Sequence, residues 1–344
     1  MSDMKLMQEY VSLKPYNTFG IDVSARYLHN LQSVSELSDV LGFADQHELP
    51  LFILGGGSNV LFTKDYPGLV IKNELAGITI IDENEDEVLV SVGGGVVWHD
   101  LVLWSVKRGL GGLENMSLIP GCTGAAPIQN IGAYGVEQKN VFQELELVNL
   151  EDGSSGKMNA AECRFEYRDS IFKQDLKGKV IITNVTYRLK KDPEINTSYG
   201  AIENELDNMG VTVSAAGVAD VSTAVINIRR SKLPDPAELG NAGSFFKNPV
   251  IPEEKFNTLL KEFPDIVGYP ASEGFTKVAA GWLIESCGWK GKRVGDTGSH
   301  ARQALVLVNY GSAKGEDIVD LSMQIRGSVM KKFGIEISPE VNIV

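Results

Sequence analysis

Three stretches of this chain combine residue types that can hold a flat, anionic ligand. The first is Gly55-Gly56-Gly57-Ser58-Asn59, which follows a short apolar run at residues 49–54. Glycine tolerates positive φ and close backbone approach, so a strand ending in such a run can turn its N–H groups toward phosphate oxygens. A Rossmann loop would open a helix and carry a third spaced glycine. Here the strand-like Val60-Leu61-Phe62-Thr63 follows, which excludes that reading. On the glycines alone, a tight turn between strands is an equal alternative. The second run, Gly93-Gly94-Gly95, carries the same ambiguity. The third stretch, residues 118–135 (LIPGCTGAAPIQNIGAYG), is a wall of Gly, Ala, Pro and Ile with few polar groups. A planar cofactor can lie against such backbone while those polar groups meet a heteroaromatic edge. A buried apolar loop is the alternative, but it would strand backbone polar groups. The combination favours a flavin.

The elements that must position these loops read as mixed α and β. Residues 34–47 have helical spacing, with Leu37, Val40, Leu41 and Ala44 on one face. Strands are expected at 49–54, 69–72, 78–82 and 87–92, the last two forming a hairpin across an acidic turn, and a helix at 97–107. Residues 109–135 are too irregular for helix or strand and too apolar for a linker, the texture of a functional ordered loop. Strands resume at 144–150 and 180–189. After the polar residues 190–193, helices are expected at 199–209 and 218–230, the latter stopped by Leu233-Pro234-Asp235-Pro236. Helices near 252–263, 278–287 and 315–333 belong to a second α+β domain, and residues 335–344 are extended.

Composition narrows the class. With 32 Lys and Arg against 45 Asp and Glu, the net charge is -13. Such a field repels a phosphate backbone, so no nucleic-acid partner is expected, and an anionic ligand needs a local pocket. No stretch approaches the ~20 apolar residues of a membrane helix, and residues 1–10 show no apolar leader core. Cys122, Cys163 and Cys287 fit neither a disulfide framework nor a zinc pattern. No metal site and a cytoplasmic location are expected.

Several motifs resemble those of the UDP-N-acetylenolpyruvoylglucosamine reductase family. They are Asn17-Thr18-Phe19-Gly20, the 55–59 loop, residues 119–135, Tyr167-Arg168-Asp169-Ser170-Ile171-Phe172, Lys232-Leu233-Pro234-Asp235-Pro236, Gly243-Ser244-Phe245-Phe246-Lys247-Asn248-Pro249 and Pro339-Glu340-Val341. They run in order from Leu13 to the C-terminus. The resemblance implies an α+β fold: a two-lobed FAD-binding domain of the p-cresol methylhydroxylase/vanillyl-alcohol oxidase type plus a separate α+β substrate domain. The expected domains are 1–215 for FAD (lobes about 1–75 and 76–215), 216–325 for substrate, and 326–344 as a segment returning to the site. Tyr199-Gly200 resembles the subtype that closes a tyrosine loop over its substrate. The chain stops soon after Glu340, where some relatives carry a longer tail.

The implied chemistry is NADPH-driven reduction of UDP-N-acetylglucosamine enolpyruvate to UDP-N-acetylmuramate, a peptidoglycan precursor, through dissociable FAD. Hydride added to the methylene carbon of an enol ether leaves charge that spreads onto the neighbouring carboxylate. A preorganised donor there is worth on the order of 3–4 kcal/mol. The resemblance gives that role to Arg168, whose rigid fork matches a carboxylate. Glu340 either donates a hydrogen bond in its protonated form or orients Arg168, and Ser244 supplies the proton for the second carbon. The implied FAD contacts are Gly55, Gly56, Gly57, Ser58, Asn59, Pro120, Gly121, Ile128, Gln129, Asn130, Gly132, Ala133 and Tyr134. Tyr199, Lys232, Asn248 and Gln303 are the implied substrate contacts. Arg229 and Arg230, at a helix end, are read as answering the helix dipole. The partners are the sugar nucleotide and NADPH, with no membrane and a monomeric chain.

Two other classes remain as alternatives: a flavin oxidase or dehydrogenase of the same fold on another small substrate, and a non-catalytic flavin or sugar-nucleotide binder. The first has no need of Ser244 and Glu340 together, and the second no need of rapid NADPH bleaching. A serine hydrolase is disfavoured, because Ser244 lacks a Gly-x-Ser-x-Gly elbow and His29, His47, His99 and His300 match no triad.

Overall fold

The computed structural model describes residues 7–344, and most of the ten-residue N-terminal stretch read for a leader lies outside them. The chain forms two compact units that exchange segments. One comprises residues through Val11, Ala25–Gly56 and Tyr66–Ser231; the other comprises Ser12–Ser24, Gly57–Asp65 and Lys232–Val344.

The first unit carries two larger sheets and a two-stranded ladder, Gly132–Ala133 with Val136–Glu137. A four-stranded sheet has the order Gln8–Ser12, Ser24–Leu31, Tyr66–Asn73, Leu51–Leu54, with the last three strands parallel. A five-stranded antiparallel sheet has the order Ser155–Asn159, Phe142–Asn149, Val180–Lys190, Glu87–Gly93, Ile78–Glu83. Its central strand, Val180–Lys190, is buried on both faces over most of its length, taking Thr183 and Thr186 into the interior beside its apolar residues. The edge strand Ser155–Asn159 is polar and exposed, so it gives no alternation signal and the sequence reading lacked it. Helix Leu37–Gln46 buries Leu37, Val40 and Ala44 on one face, as its spacing predicts. Helix Trp98–Val106 buries Trp98, Leu101, Val102 and Ser105. Trp98 is pinned twice: its indole N–H donates to the Met116 carbonyl at 3.1 Å, and its ring meets Tyr187 edge-on at 5.8 Å.

The expected boundary at residue 215 does not divide the compact units. Helix Val218–Lys232 packs on helix Gly200–Asn208 through Ile202, Leu206, Val221, Ala224, Val225 and Ile228, which carries the first unit to Ser231. The second unit holds a four-stranded sheet (Gly240–Ser244, Val306–Asn309, Thr297–Ser299, Arg293–Val294) and a three-stranded one (Val250–Pro252, Phe275–Val278, Gly268–Pro270). Its long helix, Gly315–Phe333, begins with Glu316 and Asp317 and ends with Lys331 and Lys332, matching the helix dipole at both ends. Residues 326–344 stay within this unit, and strand Asn342–Ile343 pairs in parallel with Val60–Leu61.

Candidate active site

In the first unit, the turn after strand Leu51–Leu54 meets the 118–135 segment backbone to backbone. A Cβ on Gly56 would lie 2.8 Å from the Gly121 Cα, so only glycine fits there. The Gly56 and Gly121 amides donate to nothing among the described residues. Unsatisfied N–H groups at two closely approaching glycines form a donor set suited to an anion. Gly55 and Gly56 belong to this unit; Gly57, Ser58 and Asn59 continue into the second.

Glycines of the second run serve packing. A Cβ on Gly94 would lie 2.4 Å from the Ile182 carbonyl, and the Gly94 carbonyl accepts from the Gly124 amide at 2.8 Å. The 118–135 segment is also better satisfied than its composition implies. Thr123 donates to Val96, and short turns join Ala125 to Cys122, Ala126 to Thr123 and Ile131 to Ala126. The argument from stranded backbone groups therefore no longer covers the whole segment, and rests on amides such as those of Gly56 and Gly121. Cys122 beside them is buried and free, and burial pushes its thiol up, leaving it unreactive.

Downstream of this loop lies a cationic cluster. Arg168 has φ +56°, and its Nη2 donates to the Gly132 carbonyl at 2.8 Å. Arg229 donates to the half-buried Tyr134 phenol, whose ring meets the exposed Tyr199 edge-on at 5.2 Å. Burial pulls the Arg229 guanidinium down, Tyr134 opposes this, and Arg168 adds to the fall. Its Nε is buried with no partner among the described residues. Reading Arg229 as a surface answer to the helix dipole is therefore corrected. The side chain turns back into its unit, three residues before the helix ends at Lys232. Nothing local in Ile-Arg-Arg-Ser-Lys marks which arginine does so; the available signal was that Arg229 lies four residues after buried Val225 and seven after buried Ser222 on the helix face. Burial pushes the Tyr134 phenol up, with Arg229 opposing.

His99 supports the same loop. Its Nδ1 accepts from the Leu118 amide at 2.9 Å, and Leu118 has φ +59°. Burial holds His99 below its ordinary value, Asp100 opposing and Arg230 and Arg229 reinforcing. The ring is neutral, with its proton on Nε2.

In the second unit, strand Gly240–Ser244 shifts register between Asn241 and Ser244, and Gly243 has φ +68°. The Gly243 amide donates to the Asn241 side chain at 2.9 Å, and this irregularity leaves Ser244 exposed at the strand end. The Asn17-Thr18-Phe19-Gly20 motif braces that strand: Asn241 N donates to the Thr18 carbonyl, and Phe19 meets Phe245 edge-on at 6.3 Å. Alongside runs the C-terminal segment, where the Glu340 amide donates to the Phe245 carbonyl at 2.7 Å and Lys247 N to the Ser338 carbonyl at 3.0 Å. Asn59 Nδ2 donates to the Glu340 carbonyl at 3.3 Å. Ser244, Glu340 and Asn59, 281 residues apart at the extremes, thus converge within one unit.

Asn248 and Gln303 meet at one helix start. Asn248 Oδ1 accepts from the Ala280 amide at 2.9 Å, and a Cβ on Gly281 would lie 3.4 Å from Gln303 Oε1. Lys232 is exposed at the end of its helix. Ile128 and Ala133 are half-buried on the 118–135 segment, Gln129 likewise, and Pro120 is exposed. Among the described residues no His, Cys, Asp and Glu group could hold a metal, and no helix is long and apolar enough to cross a membrane.

Residues 25–158 match the FAD binding domain family, and residues 235–344 match the family described as UDP-N-acetylenolpyruvoylglucosamine reductase, C-terminal domain. The UDP-N-acetylenolpyruvoylglucosamine reductase of Flavobacterium johnsoniae is 50% identical over 339 residues, covering 98% of this chain and 99% of that protein. That of Pseudomonas aeruginosa is 48% identical over 337 residues, covering 98% of each. The crystal structure of the Thermus caldophilus UDP-N-acetylenolpyruvylglucosamine reductase aligns with a TM-score of 0.67 at 25% identity, covering 98% of this chain and 99% of that one. A VAO-type flavoprotein from Myceliophthora thermophila, at 15% identity and a TM-score of 0.51 over 94% of this chain and 73% of its own, shares the fold. On these matches across nearly its whole length, the chain belongs to the UDP-N-acetylenolpyruvoylglucosamine reductase family.

Proposed function

We infer that this chain is an FAD-dependent oxidoreductase that reduces UDP-N-acetylglucosamine enolpyruvate with NADPH, forming UDP-N-acetylmuramate for peptidoglycan. Bound non-covalently, FAD would supply the redox chemistry that links NADPH oxidation to reduction of the enolpyruvyl group. The first unit fits the group: the free amides of Gly56 and Gly121 suit its diphosphate, and Ile128, Gln129, Gly132, Ala133 and Tyr134 line the segment against which its ring would rest.

The side chains divide the remaining work. Arg168 receives the substrate carboxylate and stabilises the charge that develops on it. Ser244 donates the proton to the second carbon; a carbanion equivalent is basic enough to take it from a hydroxyl held in place. Glu340 assists from the adjacent C-terminal segment. Tyr199, Lys232, Asn248 and Gln303 are the groups assigned to the sugar nucleotide, and Arg229 adds a cation within the first unit. In a chain of net charge -13, a buried guanidinium and its Arg168 neighbour supply the local positive field that the global charge denies.

The observation that carries the reading is the pairing of Glu340 with Phe245, which sets the C-terminal segment beside Ser244. An oxidase of the same fold has no use for that arrangement. A monomer working in the cytoplasm is the assembly we infer, and three free cysteines accord with a reducing compartment. The test is an anaerobic titration of the purified flavoprotein with NADPH and then with the enolpyruvyl sugar nucleotide. The expected result is a flavin band that bleaches with NADPH and returns only with the sugar nucleotide. A bleached flavin indifferent to it would overturn the substrate assignment, and a protein unable to take up FAD would overturn the whole reading.

A further inference from the structure

Asn130 was expected among the flavin contacts, yet its side chain has no hydrogen-bonding capacity left for one. It is fully buried and holds φ +43°. Its amide nitrogen donates to Glu137 Oε2 at 2.9 Å and to the Glu166 carbonyl at 3.1 Å. Its oxygen accepts from the Lys139 amide at 3.2 Å and from Gln138 Nε2 at 3.5 Å. A primary amide offers two N–H groups and two lone pairs, and all four are engaged.

Those partners trace a closed path to Arg168. Residues Glu166 and Asp169 exchange backbone hydrogen bonds of 3.0 and 3.3 Å, forming the turn that carries Tyr167 and Arg168. The Glu166 carbonyl that closes this turn is the one Asn130 holds. From the turn, Arg168 Nη2 reaches the Gly132 carbonyl at 2.8 Å, and Gly132 pairs with Glu137 across a short ladder. Glu137 returns to Asn130. A second strap, Ser170 Oγ to the Ile128 carbonyl at 2.6 Å, ties the same two segments, and Lys173 Nζ donates to the Arg168 carbonyl at 3.3 Å. An arginine at positive φ persists only where its surroundings over-determine it. One guanidinium nitrogen committed to the Gly132 carbonyl fixes the direction of the planar fork.

We propose that Asn130 is a positioning residue for Arg168, acting through the Glu166 carbonyl and the Gly132–Glu137 ladder, and that its side chain is not a flavin ligand. The assignment rests on the reading of Arg168 as the group that receives the substrate carboxylate. Loss of Asn130 then damages the step in which the sugar nucleotide is reduced, and spares flavin affinity and the NADPH step.

The test uses the full-length flavoprotein carrying Asn130→Gly, which keeps the positive φ accessible, and Asn130→Asp, which keeps the size but puts acceptors against Glu137 and the Glu166 carbonyl. Anaerobic stopped-flow separates the two half-reactions, with FAD affinity and thermal unfolding measured on the same samples. Expected are FAD affinity and the NADPH step within twofold of wild type, and reoxidation by the sugar nucleotide slowed tenfold or more. In an Arg168→Met background, which is itself slow in reoxidation, Asn130→Gly adds no further loss. Four results overturn the proposal: weakened FAD binding, equal slowing of both half-reactions, an unimpaired Asn130→Gly enzyme, or a full Asn130→Gly effect on top of Arg168→Met. An Arg168→Met enzyme with normal reoxidation would instead remove the Arg168 reading beneath it. If Asn130→Gly does not fold, Asn130→Asp answers by the same split.

Discussion

Replacing Arg229 by methionine separates what this side chain does for folding from what it does for ligands. Its Nε is buried without a partner among the described residues, and an unsatisfied buried polar group costs about 1–3 kcal/mol. Against this stands its hydrogen bond to Tyr134, which for a charged donor contributes about 1.5–3 kcal/mol. Burial and the Arg168 charge both work against its protonated form. The two contributions nearly cancel, so Arg229→Met leaves unfolding stability within about 1 kcal/mol of wild type. A long apolar side chain fills the volume, and half-buried Tyr134 can turn its hydroxyl to water. Ligand binding loses a charge-assisted contact of about 1.5–3 kcal/mol, or roughly 10- to 150-fold in Kd. The assays are urea unfolding of the FAD-loaded protein, and titration of NADP+ and of the sugar nucleotide followed by flavin fluorescence. A variant destabilised by more than about 2 kcal/mol with unchanged nucleotide affinity would refute the reasoning, since Arg229 would then be a structural cation satisfied by its fold.

Other outcomes are expected from the same geometry. Ser244→Ala keeps flavin reduction by NADPH and loses reoxidation by the sugar nucleotide; equal slowing of both phases in stopped-flow would remove the proton-donor role. Lys232→Ala weakens NADPH and the sugar nucleotide together, because both bring a diphosphate to one exposed cation, whereas an unchanged NADPH affinity would count against a shared pocket. His99, held below its ordinary value of 6.5 by burial, binds fewer protons folded than unfolded in that range. Its contribution is therefore complete above pH 6.5 and lost as the pH falls through the lower folded value, and His300, also lowered by burial, acts in the same sense. His99→Asn, which retains an acceptor for the Leu118 amide, flattens that acid-side loss in unfolding curves taken at several pH values; an unaltered slope would show that another group titrates.

What the sequence made legible follows the range of the interactions involved. Helix faces such as Leu37, Val40 and Ala44 are local patterns, and the structure buries them as read. The family, its flavin fold and its cofactor were legible because the motifs at residues 119–135 and 243–249 are long and unusual in composition, and the similarity to known proteins agrees. The exchange of residues 12–24 and 57–65 into the second unit was not, because it depends on contacts such as Thr18 N to the Gly57 carbonyl that leave no periodic trace. Helix spacing did put Arg229 on the buried stripe, four residues after Val225 and seven after Ser222, but its charge argued for the surface. Gly93-Gly94-Gly95 misleads in the opposite direction. It resembles an anion loop, yet Gly94 packs against the Ile182 carbonyl, since a glycine required by a neighbouring backbone and one required by a phosphate look alike in sequence.

Backbone strain links these observations. Among non-glycine residues with positive φ, Leu118, Asn130, Tyr134 and Arg168 all lie on the two segments assigned to flavin and substrate. Each such residue costs on the order of 1–2 kcal/mol in the left-handed region, less for asparagine. At least three are held there by named hydrogen bonds: Leu118 N to the His99 ring, the Asn130 side chain to Glu137 and the Glu166 carbonyl, and Arg168 through Lys173 on its carbonyl and its own guanidinium on the Gly132 carbonyl. The chain could have used glycine at Leu118 and Arg168 with no strain. It instead keeps side chains there and surrounds them with hydrogen bonds that would be redundant if folding alone were served. Strain that is retained and over-determined marks positions where side-chain direction matters more than stability. On this argument the hydrogen bonds from His99 and Asn130 serve direction first, and their loss is felt in the reaction before it is felt in the fold.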